Sequence, residues 1–382
     1  MRRSTICSAI AATAILGLST NASAGQLNYA AGAPASVPQY QSIEKYAQAV
    51  EDNSGGEYNL KVFAMTLLNF AEMSDGVWDG LADIGWVIPP YHPQAYPHSN
   101  FIGESSLMMK PFTGEHAGKE GWAFGGALTE YMFNDCPDCL AEFDAQNQVP
   151  TAFVAGTWSG LICTTPIKSL DDLDGARIRT GSANHARWAE AVGATPIQMS
   201  ANEMREALDT GVADCAVLDL SNIPAYGVEE SISDITTAVP GGLFPSSPFQ
   251  FNQDTWSSFS TEEREAMLKS AATGAAAILT QYREDMLTTR ALMKDLGANF
   301  HEADGDVSAA SEAFAKDDLK AAARSYAEKY DIQNGEQKLE DFRELLDKWR
   351  ELVKDVETSE ALADLLWSEV LSDVDAATYG VK

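Results

Sequence analysis

Between Thr165 and Asp219 the apolar positions switch between strand-like alternation and helical spacing, which predicts strand, helix, strand, helix, strand. Residues 176–180 read as a short strand, Ser182 opens a helix that closes at Gly193, and residues 195–199 form the next strand. Ser200 and Glu203 have the spacing of a capping box, in which hydroxyl and carboxylate each satisfy an amide of the new helix. That helix stops at Gly211. Residues 213–219 follow as a largely apolar strand of the kind buried in a parallel sheet. Arg179 is out of character in this pattern. It sits near the carboxyl end of the first strand, where open α/β sheets place ligands, although a solvated strand-end arginine fits the pattern as well.

The same reading upstream gives a strand over 26–30, an amphipathic helix over 37–51 ended by Asn53, Ser54, Gly55 and Gly56, and a strand over 58–63. A helix over 69–81 and a strand over 83–87 complete a βαβαβ unit, so a first α/β lobe is expected. The Pro- and His-rich segment 88–98 predicts a loop at the mouth of a cleft. Helices follow over about 115–134, residues 151–155 begin a second lobe, and residues 249–252 return as a strand to the first. From Thr261 the pattern is helical throughout. Caps are expected at Ser260 and Asp306, and a charged amphipathic helix over 337–356.

Composition narrows the class. The 382 residues are enough for two ordinary domains, and a hydrophobic content of 45% can fill their cores. Arg2 and Arg3, an apolar run from Ile6 to Leu18 and the small residues Ala22, Ser23 and Ala24 predict a secretory leader cleaved after Ala24. Its apolar run is too short for a membrane span. Without it, 24 basic residues face 56 acidic ones, a surface that repels nucleic acid and anionic lipid. An anionic ligand then needs local cations in a closed cleft. Cys136 and Cys139 are expected to form a small disulfide that pins a turn, because no second CxxC exists to complete a zinc site. Cys163 and Cys215 lie on apolar strands and are expected to be buried, free or paired.

A search for catalytic patterns finds none that persuade. The histidines His92, His98, His116, His185 and His301 lack metal-ligand spacing, and no nucleophile elbow, P-loop or dinucleotide fingerprint occurs. Neither an enzyme nor a cofactor is expected. Asp172, Leu173, Gly175, Ile178 and Arg179, followed by Gly193, Ala194, Pro196, Met199, Glu203, Ala207, Leu208, Gly211 and Asp214, carry a more specific signal. They resemble the pattern of the DctP family of solute-binding proteins from tripartite ATP-independent periplasmic (TRAP) transporters. Residues 73–85 and 239–244 resemble the family more loosely.

The resemblance implies a two-lobed periplasmic-binding-protein fold of class α/β, each lobe a sheet flanked by helices, with crossing strands, a long connecting helix and a helical C-terminal region. Residues 25–150 with about 243–280 are assigned to lobe I, and residues 151–242 with the helices of about 281–382 to lobe II. It further implies a soluble, exported monomer in the periplasm that closes on a small organic acid and presents it to a small and a large membrane subunit. A periplasmic sensor on the same fold is the alternative. Arg179 matches the family arginine and is expected to salt-bridge the ligand carboxylate, for which its planar fork is suited. Arg177, two residues nearer the strand start, is expected in solvent. Trp158 is expected either to wall the pocket or to pack in the core, and Trp86, Tyr91 and Phe244 are further pocket candidates. Val217 and Leu218 stand where similar proteins carry polar ligand-holding groups. Asp219 is left either to receive a hydroxyl or amine of the ligand or to serve as a helix cap or a surface carboxylate.

Overall fold

The computed structural model describes residues 24–35, 39–237 and 239–382. The expected leader, Ala24 apart, and the helix start at Val37 lie outside the described residues. Strands β1 (Gly25–Ala30), β2 (Tyr58–Phe63), β3 (Ile84–Val87), β4 (Gln148–Pro150) and β5 (Val154–Ala155) belong to one sheet. Strands β6 (Ser159–Cys163), β7 (Arg177–Thr180), β8 (Thr195–Gln198), β9 (Cys215–Asp219) and β10 (Asp234–Thr237) belong to another. Strand β11 (Pro245–Asn252) then returns to the first sheet and β12 (Asn299–Glu302) to the second. The first sheet runs β2-β1-β3-β11-β4, with β5 also on β11, and the second runs β12-β10-β6-β9-β7-β8.

Alternation of side chains explains why β9 reads as uniformly apolar. Cys215 and Val217 join a core with Leu161, Ile178 and Trp188 on one face, whereas Ala216 and Leu218 join Ile162, Met204 and Ile235 on the other. Cys163 and Cys215 face each other across β6 and β9 and form a disulfide, which settles the open question of their pairing. The second disulfide joins Cys136 to Cys139, as expected. Cys136 caps the helix Pro137–Ala145, so the pair pins the corner between two successive helices.

Several local readings shift. The helix expected over 69–81 contracts to Met73–Trp78, because the Asn69 side chain accepts the amides of Ala71 and Glu72 and turns the chain first. The 88–98 loop contains the 3₁₀ turn Pro89–Tyr91, and Pro97 opens the helix Pro97–Glu104. Proline suits that first helical position, where its missing amide costs nothing. Residues 154–155 pair with β11, so the second sheet begins only at Ser159. Asp304, not Asp306, occupies the cap position of Gly305–Tyr330.

The largest correction concerns the C-terminal helices. Helices Gly335–Leu352 and Ser359–Glu369 pack into the core of the first lobe rather than the second. Phe342 meets Phe124 and Tyr131 with ring centroids 5.4 and 5.6 Å apart, and Trp349 lies over Gly126. The apolar stripe Leu339, Phe342, Leu346 and Trp349 finds its partner in the helix Glu120–Asn134, which is buried nearly all round. Helix Gly305–Tyr330 serves both lobes: Trp188 Nε1 donates to Ser311 at 3.0 Å, while Tyr326 packs on Phe101.

Candidate functional site

Strand β7 carries Arg179 into the space between the lobes, where it is 3% exposed. Its Nε and Nη2 donate to the Met199 carbonyl at 3.1 and 2.8 Å, and Nη2 also donates to the Tyr91 hydroxyl at 3.1 Å. Tyr91 comes from the first lobe and accepts a further bond from the Ala201 amide at 3.0 Å. Its oxygen is thus held by two donors, which leaves its proton free to be donated. Among the described residues Arg179 forms no ion pair, so a nearly buried cation rests on neutral acceptors alone. Arg177 differs in kind: it is exposed and pairs with Asp214 at 2.6 Å.

Around Arg179 lies a cavity of about 50 Å³. Phe70 and Trp86 meet edge to face at 6.2 Å on the first-lobe side, and Phe244 tilts against Tyr91 at 5.8 Å. The Trp86 indole donates to Ser246 Oγ at 2.9 Å, fixing its ring. Val217 and Leu218 add apolar wall from the second lobe. His185 also borders the space. Burial, with the neighbouring Arg179 and Arg187 charges, pushes its pKa down to about 4, so it is neutral at pH 7. Its Nε2 lies 3.0 Å from the Gly241 carbonyl and therefore carries the proton.

Asp219 ends β9 at the cavity and is 2% exposed. Its carboxylate accepts from Thr157 Oγ1 at 3.2 Å, from Ser221 Oγ, and from Asn222 Nδ2 at 2.9 Å. Burial pushes its pKa up, and these hydrogen bonds offset only part of that rise. Arg179, Asp219, Trp86, Tyr91 and Phe244 therefore converge on one cavity. Trp158 does not. It stands against Gly241 beside the core, and its indole nitrogen is buried without a hydrogen-bond partner among the described residues. The next residue, Ser159, faces the cavity instead, because successive strand side chains point to opposite faces.

Ser159, Asn222, Tyr226 and Tyr282 also border the site and are not marked in the sequence pattern. Tyr282 lies in the middle of the helix Thr261–Asp295, where a tyrosine reads as ordinary core. Only the register of Ser159 opposite Asp219 links the first of these to the site.

Residues 29–326 match the family of bacterial extracellular solute-binding proteins, family 7, known as DctP. Three solved structures share the fold. A TRAP solute-binding protein from an unidentified marine microbe, specific for aromatic acid ligands and crystallised with 3-hydroxybenzoate, is 21% identical, with a TM-score of 0.72 over 85% of this chain and 99% of its own. DctP7 of Bordetella pertussis, a receptor binding pyroglutamic acid, is 20% identical, with a TM-score of 0.69 over 84% of this chain and 100% of its own. A TRAP solute-binding protein from Rhodoferax ferrireducens with copurified benzoate is 18% identical, with a TM-score of 0.72 over 86% of this chain and 99% of its own. With its model matched over most of the chain, the DctP family of extracellular solute-binding proteins is the family to which this protein belongs.

Proposed function

We propose that this protein is the periplasmic receptor of a TRAP transporter and captures a small organic acid by closing its lobes, with Arg179 taking the carboxylate. The observation that carries this reading is a buried guanidinium without an anionic partner among the described residues. Burying a charge is costly unless it is paired, so such a group is completed by an anion. Tyr91 adds a second donor beside it. A water needs roughly 10–15 Å³ of such space, so a cavity of about 50 Å³ suits a compact acid. Tyr91 comes from one lobe and Arg179 from the other, so a carboxylate bound by both favours the closed state through its difference in affinity. Closure then presents the loaded receptor to the two membrane subunits, which draw on an ion gradient. Export follows from the leader, cleaved after Ala24.

The experiment is calorimetry on purified mature protein, with the best ligand from a thermal-shift screen of organic acids. Losing one partner of a buried pair costs ~3–5 kcal/mol, so Arg179→Ala is expected to weaken binding by roughly two to four orders of magnitude. Arg179→Lys recovers only part, since an ammonium lacks the bidentate fork. Arg177→Ala is the control and leaves affinity within a few fold. Near wild-type affinity in folded Arg179→Ala would end the carboxylate-clamp reading.

A further inference from the structure

We infer that the ligand is a monocarboxylic acid that also carries an N–H or O–H donor, seated at the Asp219 end of the cavity, and that this end excludes dicarboxylates. This rests on the reading of Arg179 as the carboxylate clamp. The two ends of the cavity have opposite hydrogen-bonding character. Arg179 and the Tyr91 hydroxyl supply donors at one end. At the other, a buried carboxylate and a side-chain amide oxygen supply acceptors. Among the described residues Asp219 Oδ1 takes the Thr157 and Ser221 hydroxyls, whereas Oδ2 takes only one side chain, Asn222. An ionised carboxylate offers about four lone-pair positions, so one on Oδ2 is left. Burial raises the Asp219 pKa, and the three converging donors oppose that rise by favouring the ionised form. Asn222 spends its amide N–H on Asp219, and its Oδ1 has no partner among the described residues.

The hydroxyls of Tyr226, Tyr282 and Ser159 border the same cavity and make no hydrogen bond among the described residues. They are unspent groups on the cavity wall, ready to complete a network around a polar ligand group. Arg179 is in register with Ala216, three residues before Asp219, which separates the two positions by about 10 Å along the strand. One compact molecule can therefore meet both ends. A second carboxylate at the Asp219 end would face a buried like charge with no cation to intervene. An ammonium, ring N–H or hydroxyl of the ligand supplies a donor to the remaining position on Asp219 Oδ2.

Matched probe acids test the inference on wild-type protein by calorimetry: pyroglutamate against cyclopentanecarboxylate, and 3-hydroxybenzoate against benzoate, 3-methoxybenzoate and isophthalate. In the set that binds, the donor-bearing acid is expected to bind roughly 10- to 100-fold tighter than its donor-less match, with isophthalate bound weakest. Asp219→Asn is expected to shrink both ratios. If Thr157 and Ser221 lose their anchor and that variant does not fold, Tyr282→Phe and the wild-type ratios still decide. Equal binding of donor-less acids, or tight binding of isophthalate, overturns this inference and leaves the Arg179 clamp standing. Failure of every acid, in these pairs and in the wider screen, overturns the clamp and this inference together.

Discussion

Asp285 shows how one carboxylate is strained by its surroundings. It lies on the helix Thr261–Asp295, is 7% exposed, and accepts one bond from Gln281 at 2.9 Å, while its Oδ2 is buried without a partner among the described residues. Burial, aided by the charges of Glu284 and Asp219, pushes its pKa up from 3.8 to about 6. The folded state therefore holds this proton more tightly than the unfolded chain does. The stability it contributes is complete below pH 3.8 and is lost as pH rises through 6. The buried charge then costs at most about 3 kcal/mol at neutral pH. Asp285→Asn is expected to raise Tm at pH 7.5, with the gain vanishing below about pH 4, as read by thermal unfolding at a series of pH values. An equal or lower Tm at pH 7.5 would mean that the charge is compensated. The same scale separates the two arginines of β7: Arg177 spends its charge on Asp214 in solvent, and Arg179 has no anion to spend it on among the described residues.

At the scale of elements, the C-terminal helix Gly335–Leu352 is part of the first lobe's core. Trp349 is wholly buried, its indole donating to Glu130 at 2.6 Å, and a methyl added at Gly126 would lie 2.1 Å from its ring. Gly126→Ala is therefore expected to force the two helices apart and cost about 1–3 kcal/mol, as overpacking does. Trp349→Ala is expected to cost about 3–5 kcal/mol through the cavity it leaves. Chemical denaturation measures both. A neutral Gly126→Ala would mean that the helix pair can slide without loss. The amphipathic stripe of this helix is plain in the sequence, but a stripe says only that a partner exists. The partner, helix Glu120–Asn134, lies some two hundred positions earlier, which is why the expected assignment to the second lobe fails.

Across the whole molecule, charge ties the lobes together. Arg187 of the second lobe donates to Glu104 of the first at 2.6 Å and to Asp318 of the helix Gly305–Tyr330 at 2.6 Å, and Tyr326 adds a bond to Glu104 at 2.7 Å. Glu104, Arg187 and Tyr326 line a cleft of about 510 Å³ that meets the cavity around Arg179 at Tyr91 and Gly181. Glu104 and Asp318 are both buried, so Arg187→Ala leaves two carboxylates without their cation and is expected to cost about 3–5 kcal/mol. Differential calorimetry should show the loss, with Arg187→Lys recovering part. An unchanged transition would mean that the lobes are joined by other contacts.

Local chemistry by itself determined the elements around Arg179: the Ser200–Glu203 capping box forms, and the apolar run of β9 is buried on both faces. Such features depend on neighbours within a few positions, so the order of residues suffices to read them. Trp86, Tyr91 and Asp219 were legible as candidates because each lies at or just beyond the end of a strand, and Phe244 because it stands in the 239–244 segment that resembles the family. Tertiary structure alone decided that Trp158 turns away while Ser159 faces the cavity, that Tyr282 arrives from a long helix, and that Cys163 meets Cys215. Those outcomes depend on strand register and on which faces pack together. Both are fixed by contacts between residues far apart in the chain, where the pattern of any one segment carries no information.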